Sequence, residues 1–219
     1  MMKTPISVLI ADDHALFTEA LTKWLADISD IRVVAVVTNA EDAVTQAAEH
    51  QPDIVLMDID MPGLGCFEAA NIISEHCPNT AIIFVSAHTH DHYIERARAV
   101  EAAGYVTKAE PPESVVAAVR AAAGGGAYFS PEVQSRIIVD AGGARLASSA
   151  RTRLSLLTPR ELDMLRYLAS GLSKKEIADM LKIRVKTVDS HVTNLMVKLD
   201  IHDRVELTRF AIREGVVQL

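Results

Sequence analysis

Acidic, hydroxyl and basic side chains follow four short apolar runs in the first half of the sequence. Asp12 and Asp13 follow ISVLIA, Asp58 follows DIVLM, Ser86 ends AIIFVS and Lys108 ends GYVTK. If these runs are parallel strands, their carboxyl ends share the edge of the sheet where ligands bind. We therefore expect the five side chains to line one crevice rather than to lie in the core, where carboxylates are costly to bury.

The chemistry that suits such a crevice is phosphoryl transfer. Three clustered carboxylates repel one another and raise the pKa of at least one of them unless a cation is present. Hard oxygen ligands favour Mg²⁺. Asp58 would then attack a phosphoryl group whose oxygens are neutralised by Mg²⁺ and Lys108, while Ser86 hydrogen-bonds one of those oxygens.

The elements that must position these residues alternate along the chain. Apolar, β-branched runs alternate with segments of helical periodicity, which is the pattern of a parallel sheet with helices on both faces. The runs span residues 6–11, 31–37, 53–57, 81–86 and 104–108, and the helical segments span 14–27, 40–50, 65–76, 91–102 and 112–123. The sequence predicts an α/β, doubly wound, five-stranded parallel sheet.

The second half of the chain is predicted to be a smaller, all-α domain. Thr158 to Glu161 and Ser173 to Glu176 are capping boxes, which mark two helix starts. A third helix carries one apolar stripe, formed by Val188, Val192, Leu195 and Leu199. Helices joined by a short turn in this way are typical of a helix-turn-helix.

The predicted boundaries divide the chain into two domains and a connector. The first domain spans residues 4–125, the connector 126–153 and the second domain 154–219. Within the connector, residues 131–140 could form a helix, and residues 142–153 have the Gly, Ala and Ser content of a flexible linker.

Charge is distributed unevenly between the halves. Residues 1–125 contain 7 Lys and Arg against 18 Asp and Glu, whereas residues 126–219 contain 15 against 11. This asymmetry suggests different partners for the two domains. The sequence shows no membrane-length apolar stretch and no signal peptide, so we expect a cytoplasmic protein without a membrane partner. Cys66 and Cys77 are expected to stay reduced.

The first half resembles the receiver domain of bacterial response regulators, which has a flavodoxin-like fold. The resemblance rests on the acidic pair after the first strand, MDIDMPG, Ser-Ala after the fourth strand and Gly-Tyr-x-x-Lys on the fifth. It implies that Asp58 is the phosphoacceptor. It also implies that Asp13, Asp58 and the backbone carbonyl of Asp60 hold Mg²⁺, and that Asp12 acts mainly through water.

The same resemblance assigns the remaining pocket residues. Ser86 and Tyr105 would form the switch pair, and Lys108 would clamp the phosphoryl group. Two positions depart from the family pattern. Gly65-Cys66 replaces a common Asp-Gly, and Ala109 stands where many receivers have a cis proline after the lysine.

Residues 155–215 resemble the LuxR-type DNA-binding domain, which places the chain in the NarL/FixJ class of response regulators. The third helix is expected to enter the major groove. The residues expected to contact DNA are Lys174, Lys175, Lys186, Thr187, Ser190, Thr193, Asn194 and Lys198. Asp189 departs from the family, because relatives commonly have lysine there. This change removes one phosphate contact and adds repulsion, although Asp could accept a hydrogen bond from a cytosine amino group.

The resemblance also implies partners. A cognate histidine kinase would supply the phosphoryl group, and the active form would be a homodimer on a pseudo-palindromic site in double-stranded DNA. The chain would be no enzyme beyond catalysing its own phosphorylation and dephosphorylation.

Four alternatives remain open from sequence. DIDMP resembles the start of the catalytic loop of haloacid-dehalogenase-type phosphatases, but Pro62 stands where Thr or Val should follow. HTHDH, residues 88–92, suggests a metallohydrolase with the wrong spacing, and we expect it to be a solvent-facing loop. A receiver controlled without phosphorylation and a constitutive dimer are the other two.

Overall fold

The computed structural model describes residues 4–61, 63–88, 91–135, 137–140, 143–146 and 153–217. The chain forms two compact units, Met1–Ala147 and Ser148–Leu219. No helix in the described ranges is long and apolar enough to cross a membrane.

The first unit alternates strands and helices, as the sequence predicts. Its elements in chain order are β1 (Ile6–Ala11), α1 (Ala15–Ala26), β2 (Ile31–Val37), α2 (Ala40–His50), β3 (Ile54–Met57), α3 (Cys66–His76), β4 (Ala81–Ser86), α4 (Asp91–Ala99), β5 (Gly104–Thr107), α5 (Pro112–Ala123), β6 (Tyr128–Phe129), α6 (Pro131–Gln134), β7 (Ile137–Asp140) and β8 (Gly143–Leu146). Strands β1 to β6 form one parallel sheet in the order β2-β1-β3-β4-β5-β6.

Helices cover both faces of this sheet, which confirms the doubly wound class. Successive residues of β1 belong to different cores, because side chains alternate between the faces of a sheet. Leu9 packs in the core that contains α2, α3 and α4. Its neighbours Val8 and Ile10 pack in the core that contains α1 and α5.

The predicted strand number was wrong by one, since the sheet has six strands. Tyr128 pairs with Gly104 and Phe129 with Tyr105. The close approach suits Gly104, because a Cβ there would lie 2.6 Å from the backbone oxygen of Tyr128. Val133 in α6 is fully buried in the core that contains α2, α3 and α4.

Tyr128, Phe129 and Val133 lie in the segment that we predicted to be a linker. The chain therefore continues to pack on the sheet beyond residue 125. The helix expected over 131–140 is confined to Pro131–Gln134. It is followed by an antiparallel hairpin of β7 and β8, which the sequence did not predict. Residues 147–152 of the expected connector lie outside the described residues.

The second unit is helical throughout its described part. A 3₁₀ turn (Arg153–Leu156) precedes α7 (Pro159–Ala169), α8 (Lys174–Met180), α9 (Val185–Leu199) and α10 (Arg204–Arg213). Both predicted capping boxes are present, at Thr158 and Ser173. The four residues of the predicted α9 stripe are all buried and belong to one core shared with α7, α8 and α10.

Candidate functional site

The predicted carboxylates meet where β1 and β3 end. Ligand atoms of Asp12, Asp13, His14 and Asp58 all lie within 4.8 Å of one another. Backbone hydrogen bonds fix the two strand ends side by side, because the Asp58 N–H donates to the carbonyl of Ala11 at 2.8 Å. The sequence brings the acids together by ending adjacent parallel strands with them.

Lys108 reaches into this pocket from the end of β5. Its Nζ lies 2.7 Å from Asp12 Oδ2 and 3.2 Å from Asp58 Oδ1. Its backbone N–H donates to the carbonyl of Ser86 at 2.8 Å, so the end of β4 holds the lysine in place. Its Nζ also lies 5.0 Å from the ring centroid of Phe17. The ammonium group therefore bridges the two buried carboxylates.

The electrostatics of Asp58 reflect this enclosure. Asp58 is 1% exposed, and burial raises the pKa of its carboxyl group from 3.8 to about 6. The charge of Lys108 opposes that rise in pKa, while the charges of Asp12 and Asp60 add to it. At neutral pH Asp58 is mostly ionised and carries a charge that favours a further cation nearby.

His14 is a member of the pocket that the sequence analysis missed. Its Nδ1 lies 3.0 Å from Asp13 Oδ1, 3.3 Å from Asp12 Oδ1 and 3.8 Å from Asp58 Oδ2. The side chain is 61% exposed, so the imidazole covers the acids from the solvent side. The available signal was its position directly after the acidic pair.

The donor set fits a divalent cation with oxygen ligands. Asp58 Oδ2 is buried and accepts no hydrogen bond from the described part of the chain. The carboxylates of Asp12, Asp13 and Asp58 lie together in this pocket. A cluster of carboxylate oxygens of this kind suits Mg²⁺. The pocket is therefore an acidic site that could bind a metal.

Asp60 has a different role from the clustered carboxylates. Its Oδ2 lies 2.6 Å from Nε2 of His88, and its side chain does not belong to the acidic cluster. His88 also lies against Tyr93, with ring centroids 5.0 Å apart. Asp60 thus joins the loop after β3 to the loop after β4.

The expectation that HTHDH faces solvent was wrong for the two histidines that the structure describes. His88 is 7% and His92 is 9% exposed, because both pack against Tyr93. Neither belongs to a metal-binding group in the described residues. His90 lies outside the described residues.

The predicted switch residues both contact His88. Ser86 and Tyr105 are fully buried. Ser86 Oγ accepts a hydrogen bond from the backbone N–H of His88 at 3.0 Å, and the Tyr105 hydroxyl donates to the carbonyl of His88 at 2.7 Å. The loop after β4 is therefore held by hydrogen bonds to both backbone polar groups of one residue, His88. Cys66 and Cys77 are both buried, and neither forms a disulfide with the described residues.

In the second unit, α9 presents a polar surface opposite its buried stripe. All the residues predicted to contact DNA are exposed on α8 or α9. They are Lys174, Lys175, Lys186, Thr187, Ser190, Thr193, Asn194 and Lys198. This surface combines lysine cations with hydroxyl and amide groups. In protein–DNA complexes, cations contact phosphates, and hydroxyl and amide groups read base edges.

Two lysines of the set already contact carboxylates of the protein. Lys174 Nζ lies 2.6 Å from Asp189 Oδ1. Lys198 Nζ lies 2.6 Å from Oε2 of Glu161, the capping-box residue of α7. Lys198 thus joins α9 to the start of α7, which is a role that the sequence did not indicate.

Comparisons with known proteins agree with both halves of this description. The family model of the response regulator receiver domain matches residues 8–120. The model of the bacterial regulatory proteins of the luxR family matches residues 155–211.

Relatives match along nearly the whole chain. YxjL of Bacillus subtilis strain 168, an uncharacterized transcriptional regulatory protein, is 33% identical over 218 residues, which cover 100% of both chains. The response regulator UvrY of Escherichia coli K12 is 34% identical over 211 residues, covering 96% of this chain and 95% of UvrY.

A solved structure shows the same fold. It is RcsB from Salmonella enterica serovar Typhimurium, bound to promoter rprA in the presence of phosphomimetic BeF3⁻. The TM-score is 0.67 and the identity 22%, with 94% of this chain and 98% of the RcsB chain covered. The acidic pocket and the helix-turn-helix agree with these matches. The chain belongs to the NarL/FixJ class of response regulators, with a receiver domain and a LuxR-type DNA-binding domain.

Proposed function

We propose that Asp58 accepts a phosphoryl group from a phosphohistidine of a cognate histidine kinase, and that this modification controls dimerisation and DNA binding. The observation that carries the proposal is the position of Asp58. Its carboxylate is buried at the end of β3, with Lys108 Nζ 3.2 Å from Oδ1 and two further acids beside it.

The transfer requires a nucleophilic carboxylate and neutralisation of phosphoryl charge. Ionised Asp58 attacks phosphorus, the phosphorus–nitrogen bond of the donor breaks, and the donor imidazole leaves with the bonding pair and takes up a proton. Lys108 lies close enough to hold the transferred group by its oxygens. When bound, Mg²⁺ would be held by Asp13, Asp58 and the Asp60 carbonyl, with Asp12 acting through water, and would neutralise phosphoryl oxygens.

The switch follows from the hydrogen bonds at His88. A phosphoryl oxygen on Asp58 offers Ser86 Oγ a charged acceptor, and movement of Ser86 would disturb its bond from the His88 N–H. Tyr105 then loses or shifts the carbonyl to which its hydroxyl donates. The result is a shift between two populations rather than the creation of a new state.

The output is DNA binding by the second unit. We infer that α9 enters the major groove, with Lys175, Lys186, Thr187, Thr193 and Asn194 as the contacts best placed by their exposure. Two copies of the domain in a homodimer would read a pseudo-palindromic double-stranded site. The RcsB structure supports this proposal, because RcsB is bound to a promoter in the presence of a phosphomimetic.

Two further proposals accompany this function. The chain catalyses its own phosphorylation and dephosphorylation and no turnover of an external substrate, unlike a haloacid-dehalogenase-type phosphatase. It acts in the cytoplasm, where bacterial DNA and the phosphorylating domain of the kinase are both accessible.

Labelling with acetyl phosphate and Mg²⁺ tests the acceptor. Asp58→Asn should abolish labelling of the intact protein, measured as the mass increase of one phosphoryl group. The matched control is Asp53→Asn, which changes an exposed carboxylate that accepts hydrogen bonds from Ser7. The control should label like the wild type. Wild-type labelling of Asp58→Asn would overturn the assignment, and rapid multiple turnover of p-nitrophenyl phosphate would favour the phosphatase.

A further inference from the structure

An ion pair joins α8 to α9, the second and third helices of the DNA-binding domain. Lys174 is the first residue of α8, and Asp189 lies in the second turn of α9. The distance from Lys174 Nζ to Asp189 Oδ1 is 2.6 Å. The two side chains are 48% and 50% exposed. The pair therefore lies at the surface and is not needed to satisfy buried charges.

The pair lies within the surface that we propose for DNA. Lys175, which follows Lys174, is exposed, and so are Lys186 and Ser190. Lys186 and Asp189 are three residues apart, so they are neighbours on one side of α9. A duplex that contacts Lys186 and Lys175 would bring phosphates close to the Lys174–Asp189 pair.

The charge of this pair differs from that of a free lysine. A free ammonium group adds sequence-independent affinity, because binding a phosphate releases a condensed counterion. An ammonium group held by a carboxylate offers no net charge to a phosphate. For Lys174 to bind a phosphate, it must leave Asp189 and expose an anion beside the polyanionic duplex.

We propose that Asp189 withholds Lys174 from the phosphate backbone and so lowers the sequence-independent part of DNA affinity. DNA recognition then depends more on the contacts of α9 with base edges. The inference rests on the proposed function, since it assumes that α9 faces the duplex. It makes Asp189 a residue that sets specificity without itself contacting a base.

The salt dependence of DNA binding tests the proposal. The proteins are full-length wild type, Asp189→Asn, Lys174→Gln and the double variant, each with Mg²⁺ and beryllofluoride. The probe is a fluorescein-labelled duplex of scrambled sequence, and anisotropy gives Kd over a range of KCl concentrations. The slope of log Kd against log salt reports the number of phosphates contacted.

Asp189→Asn should tighten binding at low salt and steepen the slope by about 0.9, the value for one additional phosphate contact. Between about 50 and about 200 mM KCl, its affinity should then fall roughly 3- to 4-fold more than that of the wild type. Lys174→Gln should leave the slope of the wild type unchanged. The double variant should return to the wild-type slope, because no ammonium group remains to be released.

A matched control accounts for the change in net charge. Asp179→Asn removes an exposed carboxylate from the same helix as Lys174, and it should leave the slope unchanged. Thermal unfolding of each variant should match the wild type, because the substituted side chains are exposed.

Three outcomes would overturn the inference. The slope of Asp189→Asn could equal that of the wild type. The double variant could be as steep as Asp189→Asn, which would show that Asp189 repels phosphates directly. Finally, wild-type protein that binds no duplex at any salt concentration would overturn the proposed function together with this inference, whereas the first two results leave the proposed function intact.

Discussion

At the scale of the residue, Asp58 combines its proposed role as phosphoacceptor with an environment that disfavours the ionised carboxylate. Its carboxylate is buried beside Asp12, and burial raises its pKa to about 6. The Lys108 ammonium offsets only part of this cost. Ionised Asp58 therefore destabilises the folded receiver. A bound cation, or a phosphoryl group held by Lys108, would reduce this destabilisation.

This penalty predicts that Asp58→Asn stabilises the protein when divalent cations are absent. The pKa of Asp58 is raised on folding, so its ionisation destabilises the folded state fully above pH 6 and not at all below its ordinary value of 3.8. Urea unfolding in EDTA at pH 8 should show a gain in the free energy of unfolding of at most about 3 kcal/mol. The gain should shrink as the pH falls from 6 toward 4.

The control for this measurement is again Asp53→Asn, whose exposed carboxylate accepts hydrogen bonds from Ser7. It should not stabilise the protein. A destabilised Asp58→Asn protein at pH 8 would show that the hydrogen bond with Lys108 outweighs burial.

The sequence predicted some pocket residues and not others, for a physical reason. Asp58 and Lys108 could be predicted because each ends an apolar strand, and parallel strands end at one edge. The place of His14 in the pocket and the burial of His88 beside Asp60 were not predicted, because both depend on loop paths that no periodicity encodes. Lys198 was expected to face DNA, but a sequence does not show which carboxylate a long side chain will reach.

At the scale of the element, α7 and α9 are joined by one buried carboxylate. Glu161 is 3% exposed and accepts from the backbone N–H of Thr158 at 2.7 Å and from Lys198 Nζ at 2.6 Å. Burial acts to raise the pKa of Glu161, but the hydrogen bonds from Lys198 and Thr158 outweigh it and lower the pKa below 4.5. The capping box thus also positions the end of α9.

Glu161→Gln should therefore cost more than the same change in the other capping box, Glu176→Gln. Glu176 is exposed and caps α8 through Ser173. We expect losses of about 1.5–3 kcal/mol for Glu161→Gln, which removes a charged partner from Lys198, and about 1 kcal/mol or less for Glu176→Gln. Urea unfolding at pH 7 measures both.

The pH dependence gives a second check. A lowered pKa in the folded state means that Glu161 stabilises the protein above about pH 4.5, and that this contribution is lost as the pH falls through the folded pKa. The difference between wild type and Glu161→Gln should therefore shrink in acid. Equal losses for the two variants at pH 7 would contradict the role of Lys198.

Element prediction succeeded where a pattern was long enough to read. The bounds of β1 and β4 agree with the sequence because those strands are apolar on both faces. β6 is two residues long and carries no periodicity, so its membership in the sheet depends on the tertiary fit against Gly104. The hairpin of β7 and β8 lies in a segment whose composition indicated a linker.

At the scale of the whole molecule, the two units have separate cores and opposite charge. The two cores of the first unit contain only residues of the sheet, its helices and their loops. The core of the second unit contains only residues from Leu154 onward. We propose that phosphorylation of Asp58 in the first unit acts on the second unit through a change in association.

Because we propose that phosphorylation of Asp58 controls dimerisation, the oligomeric state is a direct readout of the proposed switch. Wild-type protein of 23.8 kDa should elute as a monomer on sizing chromatography and shift to a dimer with Mg²⁺ and beryllofluoride. Asp58→Asn should not shift, because it lacks the carboxylate that binds the phosphoryl mimic. A wild-type dimer before any addition would favour constitutive dimerisation, and an unchanged monomer would favour control without phosphorylation.

The sixth strand has a consequence for work with the isolated receiver. Residues in and directly after β6 donate hydrogen bonds to the backbone in and directly before β5. The N–H of Tyr128 donates to the carbonyl of Ala103, and the N–H of Ser130 donates to the carbonyl of Tyr105. A fragment ending at residue 125 would leave this side of β5 bare. Unpaired edges of that kind recruit strands from other molecules. We expect such a fragment to self-associate through the unpaired edge of β5 beside Tyr105. In a fragment extended through Gln134, β6 still pairs with that edge.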